Sequence, residues 1–215
     1  MRKLIVLMNE HTSLAKSFAG LARNAEKNKA SIAISKEPLE NPPLEIHTLG
    51  NQVLRKPARR ISKVDESIRE LVKDMLRSMY SAKGIGLAAP QVGIDKQLLV
   101  IDLDIESTTN PPLVLINPEI ITSSASLDTY EEGCLSIPEV YLDVIRPSSI
   151  KVSFRDEMGR PKKMNADGLM GRCIQHEIDH LNGVLFVDRV SNQSDLNLAL
   201  KEHGFRSEDV HSLKK

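Results

Sequence analysis

A pair of histidines four residues apart, with a glutamate directly after the first, is the part of the sequence best suited to chemistry. His176, Glu177 and His180 form the pattern His-Glu-x-x-His. On an α-helix, residues i and i+4 lie one above the other on the same face, so both imidazole rings can bind one metal ion. Glu177 is then placed to act as a general base toward water activated at the ion. The pattern predicts a hydrolytic metal site.

A hydrolytic metal site normally has three protein ligands and one open position, so a third ligand must lie elsewhere. Cys173 shares the helix face but would lie about 10.5 Å from His180 along the axis, and we expect it to be a buried core residue. The metzincin pattern is excluded because Phe186 stands where a third histidine would be. Two candidates remain. Cys134 would complete a ligand set suited to zinc or ferrous iron, and Glu202 lies in a polar segment that we expect to be exposed.

A glycine-rich run at 84–93 is the second segment with chemical potential. Its Gly-x-Gly-x-x-Ala spacing is similar to a dinucleotide-binding fingerprint, but it follows a predicted helix, and Pro90 would break the helix that such a fingerprint must open. Glycines also let a backbone approach a ligand closely. Gln91 supplies an uncharged amide that can donate to a developing oxyanion. The alternative interpretation is a tight turn in a packed core.

The spacing of apolar residues predicts the elements that position these groups. Helices are predicted at 65–80, from Asp167 or Gly168 to Leu181, and from about Ser194 to His203. Strands are predicted at 98–103, 113–116, 150–154 and 162–164, with a hairpin turn at 156–159. The second helix is apolar on more than one side, so we expect it to be buried among the strands.

Composition limits the classes of protein to consider. The chain has 215 residues with 29 basic and 29 acidic side chains, so bulk charge recruits neither nucleic acid nor an anionic membrane. Two cysteines do not make a disulfide framework, and a reducing compartment is the default. No apolar run approaches the ~18 residues of a membrane span.

Three separated motifs give the chain a family resemblance. They are G-I-G-L-A-A-P-Q at 84–91, E-G-C-L-S at 132–136 and Q-H-E-I-D-H at 175–180. In this order they resemble the three signature motifs of peptide deformylase. The resemblance implies an enzyme that removes the formyl group from the N-terminal formyl-methionine of newly synthesised proteins and releases formate. With the predicted elements, it implies an α+β fold with antiparallel sheets packed around a buried central helix that carries His-Glu-x-x-His.

The resemblance also implies roles for individual residues. Three are implied as metal ligands, namely Cys134, His176 and His180. Three are implied as catalytic groups, namely Glu177 for proton transfer, and Gln91 and the backbone N–H of Leu135 for the oxyanion. Six are implied to bind the substrate, namely Gly84, Ile85, Gly86, Glu132, Gly133 and Leu169.

Two arginines bear on this expected site. In the family, Glu132 is partnered by an arginine before the next strand, and Arg146 stands in that place. The pocket for the substrate methionine is implied to include Ile85, Leu169 and Cys173. Arg172 departs from the apolar residue found in part of the family, and its effect on that side of the pocket is open.

The resemblance implies one divalent metal ion, Fe²⁺, with Zn²⁺ or Ni²⁺ as alternatives; by affinity ordering the same ligands would prefer zinc. The implied partners are nascent polypeptides that begin with formyl-methionine, close to a ribosome, with no nucleic-acid specificity and no membrane. The implied setting is the bacterial cytoplasm, or an organelle if residues 1–36 act as a targeting peptide.

The chain divides into three parts. Residues 1–43 are predicted to be a basic N-terminal tail or extension, because the first 36 are rich in Lys and Arg and a proline-rich stretch follows. Residues 44–190 are the expected catalytic deformylase domain, and residues 191–215 a C-terminal polar helix and tail. We expect deletion of residues 1–36 to leave activity intact.

Two rival classes stay open on the residues alone. A zinc endopeptidase would cut internal peptide bonds and should hydrolyse unformylated peptides. A non-catalytic, metal-stabilised binding module would have a closed site with four protein ligands.

Overall fold

The computed structural model describes residues 3–4, 32, 34–105 and 110–213. Within these ranges the chain forms three α-helices, α1 (Glu66–Ser81), α2 (Gly168–Leu181) and α3 (Gln193–Glu202). The strands are β1 (Lys3–Leu4), β2 (Gly86–Ala88), β3 (Leu98–Ile101), β4 (Leu113–Ser123), β5 (Leu127–Cys134), β6 (Ile137–Pro147), β7 (Ser149–Arg155) and β8 (Pro161–Asp167).

The strands form two sheets. One has five strands in the order β2-β3-β4-β7-β8, and every neighbouring pair in it is antiparallel. The other has the order β1-β5-β6, in which β5 and β6 are antiparallel and β1 runs parallel to β5. The predicted α+β class with antiparallel sheets is therefore confirmed, with β1 as the exception. Within the described ranges, no helix combines the length and apolar character of a membrane span.

The predicted first helix is confirmed within one residue at each end. Asp65 caps α1, because its side chain accepts a hydrogen bond from the backbone N–H of Ile68. The helix stops before Lys83, which adopts a positive φ of 57°. Its apolar stripe, Val72, Met75, Leu76 and Met79, is fully buried.

The five-stranded sheet lies between α1 and α2. Along β3, Leu98 and Val100 pack in the apolar cluster that contains α1, whereas Leu99 and Ile101 pack in the cluster that contains α2. Successive side chains of a strand point to opposite faces, so both faces of this sheet are covered. This explains why all four residues of β3 are apolar rather than alternating.

The second predicted helix is confirmed as α2, and it is buried as expected. Every residue from Gly171 to Leu181 except Ile178 is buried, and the helix packs against β2, β3, β7 and β8. Gly183, with φ of 73°, follows its end and lies against the backbone of Arg55. The third helix is also confirmed. Although α3 is mostly polar, Leu196 and Leu200 are buried in the core beside Phe186.

The strands predicted at the positions of β3, β4, β7 and β8 are present, but the prediction is two residues too long for β3 and too short for β4 and β8. The Asn-Pro pair after Ile116 interrupts the apolar pattern, so the second half of β4 was not predicted. Asn117 has φ of 52° and bonds through its side chain to both the N–H and the carbonyl of Ile61, and the strand resumes after a register shift. The predicted hairpin turn at 156–159 is confirmed, and Gly159 has φ of 77°.

Residues 34–43 lie against the body of the protein. Lys36 Nζ is 2.7 Å from a carboxylate oxygen of Asp102, and the hydroxyl of Tyr80 donates to the same oxygen. The backbone N–H of Leu39 donates to Ser81 Oγ at the end of α1. This part of the predicted extension is therefore tied to the fold. The predicted targeting peptide at 1–36 lies almost entirely outside the described residues.

We predict that Lys36→Met lowers the free energy of unfolding by about 1–3 kcal/mol and leaves turnover unchanged. The substitution leaves the Asp102 carboxylate, which is 4% exposed, without its cation, although Tyr80 still donates to it. Chemical denaturation gives the measurement. Lys73→Met is the control, since Lys73 pairs with Glu70 on the surface and should change stability by less than about 0.5 kcal/mol. Equal stability of the two variants would contradict the prediction.

Candidate metal centre and active site

The structure brings three metal-binding side chains together. One ligand atom each from Cys134, His176 and His180 lies within 4.8 Å of the others, and all three residues are buried. The histidines come from consecutive turns of α2, and Cys134 ends β5. The other two candidates for a third ligand lie apart from this group, since Cys173 is a buried core residue and Glu202 is exposed.

The three residues fit a divalent cation of intermediate softness. Cys134 Sγ and His180 Nε2 are 3.3 Å apart, so both lone-pair donors are directed at one region. The Nε2 atom of His176 is buried and makes no hydrogen bond within the described residues. A thiolate and two imidazoles suit zinc or ferrous iron better than magnesium or calcium. Three protein ligands also leave one coordination position for water or substrate, as in catalytic sites.

A buried carboxylate orients the first histidine. His176 Nδ1 is 2.9 Å from Glu132 Oε2, so the ring donates its Nδ1 proton there and Nε2 is left as the lone-pair atom. Arg146 binds Glu132 with two hydrogen bonds of 2.7 and 2.9 Å. Burial alone would raise the pKa of Glu132, but the charge and hydrogen bonds of Arg146 outweigh it and hold that pKa well below its ordinary value. Glu132 is therefore an anion in the core.

The substrate-binding role of Glu132 stays a prediction, and its side chain is fully engaged within the protein. Both carboxylate oxygens already accept hydrogen bonds from buried side chains, and the residue has no exposed surface. The expected partnership of Arg146 with Glu132 is present in the structure.

Arg146 is itself held by a second acidic residue. Its Nη1 donates to Asp179 Oδ2 at 2.5 Å, and Arg189 binds Asp179 through two hydrogen bonds of 2.5 and 2.6 Å. Asp179 lies in α2 between Glu177 and His180. The alternating charges therefore connect β5, β6, α2 and the turn after α2 in one network.

Arg172 binds the same carboxylate as His176. Its guanidinium is 3.0 Å from Glu132 Oε1 and also donates to the backbone carbonyls of Val144 and Asp128. The side chain is 2% exposed, and its Cζ lies 4.8 Å from the ring centre of Tyr130. The departure at Arg172 therefore adds a second cation to Glu132.

Glu177 is a buried carboxylate with an unused oxygen. It is 1% exposed, and its Oε2 makes no hydrogen bond within the described part of the chain. Burial raises the pKa of Glu177 to about 7, with a smaller upward contribution from Glu132. A carboxyl group with this pKa can take up and release a proton near neutral pH.

The glycine-rich run forms the wall next to Glu177. Gly86 lies in β2, at the edge of the five-stranded sheet, and a Cβ there would overlap Glu177 Oε1 and the sulfur of Cys173. A Cβ at Gly84 would press on the side chain of Leu135, which lies in the tight turn between β5 and β6. Both glycines thus let the backbone approach the site closely, as predicted.

Gln91 is buried and binds two parts of the site. Its Oε1 accepts from the backbone N–H of Ala88, and its Nε2 donates to Ser136 Oγ at 3.1 Å and toward Cys134 Sγ at 3.5 Å. Ser136 also donates its backbone N–H to Cys134 Sγ. Ser136 was not predicted as a site residue, although it is the last residue of the quoted motif E-G-C-L-S.

A backbone clamp that the sequence did not indicate joins the first two motifs. The N–H of His47 donates to the carbonyl of Gln91, and the N–H of Leu49 donates to the carbonyl of Ser136. Main-chain hydrogen bonds leave no side-chain pattern, so spacing and composition carry no signal for this clamp.

The remaining predicted substrate residues border the same region. Ile85 is buried and Leu169 half-buried, and both pack in the cluster that includes Cys173. Gly133 lies against the ring of Tyr141, where a Cβ would overlap two ring carbons. The predicted relief of crowding at Gly133 is therefore present.

An α+β fold with a buried helix that carries two histidines and a glutamate, completed by a cysteine from a β-hairpin, defines a metal-dependent hydrolase. The family model described as polypeptide deformylase matches residues 43–195. The chain therefore belongs to the polypeptide deformylase family. It removes the formyl group from the N-terminal methionine of newly synthesised proteins, as predicted, and the two rival classes are set aside.

Relatives and solved structures agree with this family. Peptide deformylase 2 of Prochlorococcus marinus (strain MIT 9313) is 72% identical over 200 residues, which cover 93% of this chain and 100% of that protein. A peptide deformylase of Synechococcus sp. (strain CC9605) is 70% identical over the same shares. The crystal structure of a Synechococcus elongatus peptide deformylase in complex with actinonin has a TM-score of 0.83 and 57% identity, covering 85% of this chain and 100% of that one.

We predict that the two cysteines differ in their effect on metal content. Cys134→Ala should abolish metal binding, because it removes one of three convergent ligand atoms. Cys173→Ala should retain the metal and cost about 1 kcal/mol of stability for a small buried side chain. Elemental analysis of both purified proteins gives the measurement. Metal lost from Cys173→Ala and retained by Cys134→Ala would reverse the assignment.

Proposed function

We propose that this deformylase binds Fe²⁺ through Cys134, His176 and His180 and uses Glu177 to carry the proton during hydrolysis of the formyl group. The observation that carries the proposal is the combination of three convergent ligand atoms with a buried carboxylate whose Oε2 has no partner. A bound divalent ion supplies Lewis-acid polarisation of the formyl oxygen and lowers the pKa of a water molecule. Fe²⁺ is supported by the family resemblance, whereas the ligand set itself suits either zinc or ferrous iron.

Glu177 is the group that moves the proton in this proposal. The reaction adds water across the formyl C–N bond, so one proton must leave the attacking water and one must reach the departing amine. A carboxyl group with a pKa raised to about 7 by burial can do both in turn at neutral pH. The close approach of Gly86 keeps the Glu177 carboxylate in a fixed position and excludes bulk water from that side.

Gln91 and Leu135 are the proposed donors to the oxygen that becomes negative. The Gln91 amide has two N–H groups; Ser136 accepts one, and the other side of the amide faces Cys134. The side-chain Oε1 of Gln91 accepts a hydrogen bond from the backbone N–H of Ala88, which fixes the orientation of the side-chain amide. Leu135 lies directly after Cys134 in a tight turn, so its backbone N–H is rigidly supported.

The edge of β2 is the proposed binding surface for the peptide. The carbonyl of Ile85 accepts from Asp102 at the end of β3. Because peptide groups alternate along an antiparallel strand, those of Gly86 face the open edge. An extended substrate can add to this edge by main-chain hydrogen bonds.

The pocket for the methionine side chain is proposed beside this edge. Ile85, Leu169 and Cys173 supply an apolar surface suited to a thioether side chain. Arg172 does not narrow it, because its guanidinium is bound to Glu132 and to the β5–β6 hairpin.

The proposed setting is the bacterial cytoplasm, close to the ribosome that supplies the nascent chain. Its support is that the similar proteins come from Prochlorococcus and Synechococcus and that the substrate is a new N-terminus. Residues 44–190 remain the proposed catalytic domain, with residues 191–215 as a C-terminal extension packed through α3.

Metal-free protein reconstituted without oxygen with Fe²⁺, Zn²⁺ or Ni²⁺ tests the proposal. We expect formate release from formyl-Met peptides to be fastest with Fe²⁺, and no hydrolysis of the same peptides without the formyl group. Turnover with Zn²⁺ equal to that with Fe²⁺ would reject the metal assignment. Cleavage of unformylated peptides would reject the proposed substrate surface.

We predict that Glu177→Gln keeps the metal but lowers turnover by ~10²–10⁴, because only the proton carrier is removed. Metal content and formate release on the same sample give the measurement. The substitution is nearly isosteric and also removes a buried ionisable group, so the variant should be folded. Near-normal turnover at full metal content would exclude Glu177 from proton transfer.

We predict that Gln91→Ala lowers turnover by ~10²–10³ with a much smaller change in KM, the usual loss for one oxyanion donor. Ser136→Ala is the matched control, since it removes the partner of the other amide N–H but no donor to the substrate. Its turnover should fall by less than about tenfold. If Gln91→Ala loses thermal stability but retains turnover, Gln91 only supports the loop.

A further inference from the structure

We propose that Arg172 is a positioning residue for the metal ligand His176, acting through the carboxylate of Glu132. The inference rests on the proposed role of His176 as a ligand and goes beyond it, since the described hydrogen bonds of Arg172 go to Glu132, Val144 and Asp128 and not to the three ligands. The sequence pattern singled out Arg172 only as a departure in the methionine pocket.

Arg172 and His176 reach the same carboxylate from one face of α2. They are four residues apart, and residues at this spacing lie one turn above each other. Arg172 Nη1 donates to Glu132 Oε1 at 3.0 Å, and His176 Nδ1 donates to Glu132 Oε2 at 2.9 Å. Glu132 therefore bridges two consecutive turns of the helix that carries the ligand.

Each oxygen of the Glu132 carboxylate accepts two hydrogen bonds. Oε1 accepts from Arg146 Nε and Arg172 Nη1, and Oε2 accepts from Arg146 Nη2 and His176 Nδ1. Arg146 approaches from β6 and fixes Glu132 relative to the hairpin. Arg172 approaches from α2 and fixes the carboxylate relative to the helix. Without Arg172, the imidazole would be the only donor from α2 to Glu132.

The guanidinium of Arg172 has little freedom. It also donates to the carbonyl of Val144 at 3.1 Å and to that of Asp128 at 2.7 Å, which lie on adjacent strands. Its side chain is 2% exposed, and Tyr130 covers one face of it. An immobile donor can set the angle of the carboxylate, and so the direction in which His176 Nε2 points. Loss of the outer partner of a metal-binding histidine typically costs about 10- to 100-fold in metal affinity, and Arg172 fixes that partner.

The test measures metal affinity of full-length variants by competition between metal-free protein and a chelator, with Zn²⁺ and Co²⁺ as probes. Arg172→Met keeps an apolar stem but removes the guanidinium. We expect it to weaken both affinities by about 10- to 100-fold and to change the visible spectrum of the Co²⁺ form. Arg172→Lys keeps a positive charge facing Glu132 and should recover part of the loss. Parental affinity and spectrum in Arg172→Met would overturn the proposal.

Tyr130→Leu is the matched control for packing. It removes the ring against the guanidinium but no donor to Glu132, so metal affinity should stay within about twofold of the parent. An equal loss of affinity in Tyr130→Leu and Arg172→Met would mean that general packing around α2, rather than the bond to Glu132, controls the site, and would overturn the proposal.

A double-mutant cycle with Glu132→Gln identifies the route of the effect. If Arg172 acts through Glu132, Arg172→Met should change affinity little in the Glu132→Gln background, whereas additive losses would overturn the proposal. The lysine and Tyr130 comparisons carry the test if Glu132→Gln does not fold. His176→Ala distinguishes the ligand assignment from the positioning role. If His176→Ala retains the metal, the ligand assignment is rejected. If His176→Ala loses the metal while Arg172→Met keeps the parental affinity, only the positioning role of Arg172 is rejected.

Discussion

The site depends on one buried anion. The Glu132 carboxylate has no exposed surface, and an unpaired charge in that position would be strongly destabilising. Two arginines and a histidine supply its four hydrogen bonds. Because those donors come from β6 and α2 while Glu132 belongs to β5, satisfying the charge aligns the hairpin with the helix. The same alignment brings Cys134, two residues beyond Glu132, to the two histidines of α2.

Burial of the site also changes the pKa of Glu177. The five-stranded sheet is covered on both faces, and α2, which covers one of them, contacts the edge strand β2. Glu177 is therefore out of contact with bulk water, and burial raises its pKa to about 7. Gly86 allows β2 to come against that carboxylate. A single packing arrangement thus provides both the proposed proton carrier and the open strand edge beside it.

The helices and half of the strands could be predicted from local pattern, because amphipathic periodicity and capping residues are encoded within one element. Asp65 and the buried stripe of α1 are examples. The strands β5 and β6 were not predicted. Acidic residues occupy three of the eight positions of β5, and the prolines near both ends of β6 obscure the alternation of its buried Val140, Leu142 and Val144 with more exposed residues. Their pairing with each other and the burial of Glu132 stabilise them instead.

For the site, the sequence by itself determined the relation of His176, Glu177 and His180, since helical geometry fixes neighbours within two turns. The motifs also selected Cys134 and Gln91 as candidates. Only the tertiary structure decided which groups support them. Arg172 turns to Glu132, 40 residues earlier, and the backbone of His47 holds Gln91. Lys36, assigned from the sequence to a tail, pairs with Asp102. Such contacts join segments far apart in the chain, and their formation depends on packing and on the need to pair buried charge, neither of which has a local sequence period.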